Sequence, residues 1–191
     1  MNSPLSLAKA ALNAAHSADP KLENGVPAEL LYADRLELWL NRLVPTPSLA
    51  LSIAGRAQHL ERWVIPRSDF PMDRPGYHNW RTTVHRRQGQ RAEELLLAAG
   101  IDATVAARVN TLVAKLSKDE EGQALEDAAC LVFLEHELPG FAASHPDYTR
   151  EKFITIIRRT WKKMSASGHA LAATVPLSPE LAALVQEALA P

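Results

Sequence analysis

A single cysteine, Cys130, stands in 191 residues. It excludes an intrachain disulfide and fits a reducing compartment. Strand signals are nearly absent: β-branched residues do not alternate with polar ones, and no Asn-Gly or Asp-Gly pair joins two apolar runs. No stretch approaches the roughly 18 apolar residues of a membrane span. The opening MNSPLSLAKAALNAAH lacks the basic start and apolar centre of an export signal. A net charge of −1 supplies no global field toward nucleic acid or an anionic membrane, so neither is the expected partner. The reading is a cytoplasmic protein.

What remains is ordinary globular composition, 47% hydrophobic and 23% charged, in a length that suits one domain over residues 1–191. Helical spacing accounts for block after block. Leu5 to Ala15 is a short Ala/Leu helix. Ala28 to Leu43 places Leu30, Leu31, Asp34, Leu38 and Leu43 at helical spacing until Pro45 and Pro47 end it. Ser48 caps a helix to about Arg62, with Leu49, Ile53, Ala57 and Leu60 facing the core. Pro66, Pro71 and Pro75 make Val64 to Gly76 a loop. Tyr77 to Ala99 is long and stops at Gly100. Thr104 to Ser117, with Val105, Val109, Leu112 and Leu116 inward, then Ala124 to Ala143, Thr149 to Ser167 and Ser178 to Ala190 follow. The expectation is an all-α fold of about eight helices, with 177–191 detachable at the end.

Three features break the pattern. In ALEDAACLVFLE, the run Ala128 to Leu134 is apolar on every side, which marks a buried helix, yet Glu126 and Asp127 stand at its start. Either the first turn meets solvent, where acids suit the helix dipole, or Asp127 points inward to a metal or a basic partner. Arginine is the second break. Eight of the fourteen arginines lie between Arg56 and Arg91, and no lysine occurs between Lys21 and Lys115. Guanidinium forks suit bidentate recognition of phosphate or carboxylate. Arg56, Arg62, Arg67, Arg74 and Arg81, with the amides Gln58 and Gln88, are therefore candidate ligand contacts; a solvated face with internal ion pairs is the plainer alternative. Trp63, Tyr77 and Trp80 suit the core better than base stacking. His59 is the third break, sharing its helix face with Ser52, Gly55, Arg56 and Arg62 rather than with leucines. It reads either as a ligand-facing group or as a hydrogen-bonded structural one. His78, His85, His136, His145 and His169 read as surface residues. No His-x-x-x-His pair or partner cysteine supports a structural zinc site.

YADRLELWL, AQHLERWVIPR, FPMDRPGYHNWR and LEDAACLVFLEHEL together resemble the signatures of a bacterial and fungal family, domain of unknown function 4202, from Leu5 to about Ala173. A more distant resemblance is to the HD superfamily of helical, metal-dependent phosphohydrolases. That likeness implies His59 and Asp127 as ligands of a divalent metal. Leu60 stands where the superfamily's paired aspartate is expected, and the early histidine falls near Tyr32. Gln88 replaces a histidine of the family pattern. KKMSASG, Lys162 to Gly168, is similar to the KMSKS loop of class I aminoacyl-tRNA synthetases, a title some members carry. Without an α/β nucleotide-binding core or a HIGH-type motif, that activity is excluded.

Two functions are expected on these grounds. One is a non-catalytic, degenerate HD-like domain that binds a small phosphorylated anion through the arginines. The other is a metal-dependent phosphohydrolase-like enzyme using His59 and Asp127.

Overall fold

The computed structural model describes residues 3–140 and 148–189. The fold is all-α apart from one two-stranded hairpin. The chain divides into two compact units, 1–122 and 123–191.

In the first unit, helix α1 (Pro4–His16) starts on Ser3, whose hydroxyl accepts the Ser6 N–H, and places Pro4 where no helical donor is lost. The hairpin follows, β1 (Leu22–Glu23) pairing with β2 (Val26–Pro27) through Asn24 and Gly25, both at positive φ. Asn-Gly is the pair such a turn favours. Its signal was hidden because the flanks are too short and too polar to read as strands.

Helix α2 (Ala28–Leu43) buries Tyr32, Ala33, Leu36, Trp39 and Leu40, while Leu38 is 69% exposed. The leucine stripe expected there is therefore rotated toward the two aromatic residues. Helix α3 (Leu49–Arg56) is capped by Ser48 and buries Ile53 and Ala54. The expected core positions Ala57 and Leu60 are also fully buried, but beyond the helix end.

Helix α4 (Arg74–Ala98) begins three residues before the expected Tyr77, because Asp73 accepts the Gly76 N–H and Pro75 fits the first turn. Helix α5 (Ala103–Val113) ends before the expected Ser117; Lys115 adopts φ 60° and turns Leu116 out to 66% exposure. α4 lies along α5, and α3 packs on α5, α2 and α1. The α4–α5 crossing is close because Gly89 lies against Asn110.

Helix α6 (Glu120–Val132) contains the division between the units and passes into a π-helical turn, Phe133–Glu137. Its expected end at Ala143 lies outside the described residues. In the second unit, α7 (Arg150–Trp161) starts on the Thr149 cap, α8 (Ala166–Ala172) on the Ser165 cap, and α9 (Pro179–Leu189) packs on α7. One helix was expected across 149–167. It is two, since Ser165 prefers to cap rather than continue.

Gly89 generates a stability test. A Cβ there would stand 2.3 Å from the Asn110 side-chain oxygen and 2.7 Å from its backbone oxygen. The side chain can move; the backbone of α5 cannot without shifting the helix. Gly89→Ala is expected to lower unfolding free energy by about 1–3 kcal/mol despite its better helix propensity. Urea titration measures it, and an unchanged or raised midpoint would contradict the close crossing.

Candidate functional site

The chain leaves α3 at Arg56 and turns sharply, with His59 at φ 61° and Glu61 at φ 48°. Side-chain residues are rarely left-handed, and two within three positions store backbone strain. The expected helix to Arg62, and with it the helical face shared by Ser52, His59 and Arg62, is therefore absent. A turn presents His59 instead. Glu61 secures that turn to α4, accepting from Arg87 at 2.8 Å and Arg91 at 3.1 Å. Burial pushes the Glu61 carboxyl up, but the two guanidinium bonds outweigh it and hold it below its usual range.

His59 is held from three sides. Its ring stacks on Tyr32 with centroids 3.8 Å apart. Nδ1 lies 3.0 Å from Glu29 Oε2, and Nε2 lies 2.9 Å from an Arg62 terminal nitrogen. A carboxylate accepts and a guanidinium donates, so Nδ1 carries the proton and Nε2 is the acceptor of a neutral ring. Burial, followed by the Arg62 charge, pushes its pKa down to about 4. Glu29 is itself positioned: its backbone N–H donates to Asp19 at 2.9 Å.

Around this chain the cations converge. Arg62 also sits 5.0 Å over the Trp80 ring, and Trp80 donates its indole N–H to Ile65 O at 2.9 Å. Arg81, one turn before His85 on α4, lies 5.8 Å from the Tyr77 ring centre. His85 is pushed down to about 4, by burial first and then by Arg81, Lys115, His59 and Arg62. Among the described residues, neither Arg62, Arg74 nor Arg81 has a carboxylate within ion-pair distance.

The other candidates sort by what already occupies them. Arg56 is buried and paired with Asp34, while its Nε donates to Asn13 at 2.5 Å, so it braces α1, α2 and α3. Arg67 donates to Phe70 O at 2.9 Å and Pro71 O at 2.7 Å, folding its own proline loop. Gln58 donates back to Ala54 O at 3.1 Å. Arg74 is exposed at the start of α4. Gln88 is 2% exposed and its amide nitrogen has no protein partner.

Four histidines depart from the sequence reading, three of them taken there as surface groups and one, His16, not singled out. His85 is half-buried rather than a surface group; its spacing of four from Arg81 was the available signal. His16 is fully buried, with Nε2 2.9 Å from Arg56 O and Nδ1 unpartnered. His136 and His169 are also half-buried, the latter stacked on Trp161 at 4.0 Å, while His78 is exposed. His145 lies outside the described residues.

In the second unit, Asp127 is 2% exposed and points inward. Its partners are the Ser165 N–H at 2.8 Å, the Ser165 hydroxyl and the Gln123 amide at 2.9 Å. The two Ser165 donors at the start of α8, with the Gln123 amide from α6, replace the water a buried carboxylate would lose. Gly168 makes room, since a Cβ there would stand 2.8 Å from the carboxyl carbon. The KMSAS stretch is thus the capping turn of α8. His59 and Asp127 lie in different units, and each finds its partners within its own. Among the described residues, no group of three or more His, Cys, Asp or Glu side chains is placed to share a metal ion.

Comparison with known families matches residues 6–185 to the domain of unknown function described as DUF4202. That span is nearly the whole chain. The protein belongs to the DUF4202 family. No curated protein and no solved structure matches it. Within DUF4202, then, the site has to be read from this chain's own chemistry. No helix among the described residues is long and apolar enough to cross a membrane.

Two predictions arise from these groups. Asp127→Ala strands the Ser165 and Gln123 donors and is expected to cost about 1–3 kcal/mol or more by urea unfolding. The loss should be the same with and without added zinc or manganese; a loss seen only with metal would reassign Asp127. The second concerns pH. His59 and His85 have folded pKa values of about 4 against 6.5 when unfolded, so between these limits the unfolded chain binds more protons. Stability is expected to rise from about pH 4 to about pH 6.5 and to level off above, as far as these rings are concerned. Denaturation midpoints across that range should show a shallower limb in His85→Gln.

Proposed function

We propose that this DUF4202 protein binds a small phosphorylated anion at the cluster of Arg62, Arg81 and His85 in its first unit, a degenerate HD-like domain in a reducing, cytoplasmic setting. The observation that carries the reading is convergence without neutralisation. Arg87, Arg91, Arg56 and Arg108 are each matched to carboxylates, whereas Arg62 and Arg81 are braced by rings and by His59. Aromatic faces and an imidazole acceptor orient a guanidinium without cancelling its full charge. The fork stays available to an oxyanion.

His85 fits the same reading. Burial first, and then its positive neighbours, hold its pKa down to about 4, and an anion at the cluster would oppose the second of these. Gln88, a turn further along α4 with a spare amide donor, lies on the same side of the helix as Arg81 and His85. The Leu60 substitution in the HD-like pattern, and the hydrogen-bonded state of His59 and Asp127, favour this reading over a metal centre built on those two residues.

Inorganic phosphate or sulfate is expected to raise the melting temperature in a concentration-dependent way, by an amount equivalent to about 2.7 kcal/mol at a hundredfold excess over Kd. Arg62→Ala combined with Arg81→Ala should abolish the shift, and Arg159→Ala in the second unit should leave it intact. A shift that persists in the double variant would put the anion elsewhere.

A further inference from the structure

We propose that Glu29 and His59 form a metal-independent general base that hydrolyses a phosphate ester held by Arg62 and Arg81. This rests on the anion site proposed above and adds an activity to it.

The geometry carries the inference. A carboxylate fixes the Nδ1–H tautomer at 3.0 Å, the Tyr32 ring fixes the imidazole plane at 3.8 Å, and the acceptor nitrogen Nε2 faces Arg62 at 2.9 Å. A general base requires this arrangement: an orienting acid behind the ring and a lone pair aimed at the reacting group. The ring sits on a left-handed backbone that no ordinary side chain prefers, in a turn pinned to α4 by Glu61. Strain of this sort persists where a side chain must be held in one place. A structural histidine could have the Glu29 bond and the stacking. It has no need of a lone pair directed at an arginine that lacks a carboxylate.

Arg62 rests on Nε2. A phosphate oxygen is a stronger acceptor than a neutral imidazole, so an arriving ester draws the guanidinium to itself and uncovers the nitrogen. The anion's charge also opposes that of Arg62 beside the ring. A water molecule then gives its proton to Nε2 while its oxygen forms a bond to phosphorus. The ester P–O bond breaks, and its electron pair leaves with the alkoxide or phenolate. Arg62 and Arg81 stabilise the phosphoryl oxygens, and Glu29 stabilises the imidazolium, which returns its proton to the leaving group or to solvent. His59 is the catalytic residue; Glu29 positions it.

The test uses the full chain in excess EDTA with p-nitrophenyl phosphate and bis(p-nitrophenyl) phosphate, monoester and diester. Their phenolate leaves unaided, so the assay isolates the base. Release of p-nitrophenol from either is expected, and the preferred ester tells which class the site takes. His59→Gly, which suits the positive φ, should lower kcat at least about 100-fold. KM should stay unchanged, and imidazole in solution should restore part of the rate. Glu29→Gln should lower kcat and leave the phosphate-induced melting shift in place. The proposal is overturned by no release from either ester while phosphate still raises the melting temperature, by release that needs added metal, or by full activity in His59→Gly. A wild-type chain whose melting temperature ignores phosphate would instead remove the anion site itself.

Discussion

The turn between α3 and α4 depends on Glu61. Its carboxylate takes two guanidinium groups from α4 while its own backbone is left-handed, so an ionic tether and a strained corner act on the same residue. His59 precedes it by two positions and Arg62 follows it directly. Without the tether, the strained backbone of His59 would be held only by its own contacts with Tyr32, Glu29 and Arg62. The tether is only partly exposed to solvent, with the Glu61 side chain 15% exposed, so salt weakens it less than a surface pair.

Much of the fold was legible because helical periodicity is a local signal. The Ser48 cap, the start at Thr149 and the stop at Gly100 are written in adjacent residues; the Asp73 cap is equally local, but the prolines around it read as loop. Two misplacements, the start of α4 and the break before Ser165, turn on local caps, whereas the turn after α3 is decided by partners distant in sequence. His59 leaves the helix for Glu29, 30 positions earlier, and Glu61 for Arg87, 26 positions later. Lys115 ends α5 in a conformation that lysine does not favour alone. Asp127 was ambiguous for the same reason: its donor, Ser165, lies 38 positions away.

The arginine cluster was visible in composition, but composition cannot say which guanidinium is already occupied. Arg56 and Arg67 looked equivalent to Arg62 and Arg81. Folding gave the first a carboxylate and the second a row of carbonyls. Of this arginine-rich stretch, Arg62 and Arg81 are left beside rings with neither carboxylate nor carbonyl partners, and those two lie beside His59 and His85. The site is what remains after the fold has satisfied its own charges.

Gly168 and Asp127 bind each other's evolutionary futures. Any side chain at 168 would begin 2.8 Å from the carboxyl carbon, and that acid is short, buried and tied by three donors, so it cannot swing aside. A lineage can acquire alanine at 168 only after giving up the acid at 127. The reverse order passes through a clash. Descendants should therefore keep both residues or lose the acid first, and the glycine, whose backbone N–H caps onto the Ser165 hydroxyl, is as constrained as the charge it accommodates.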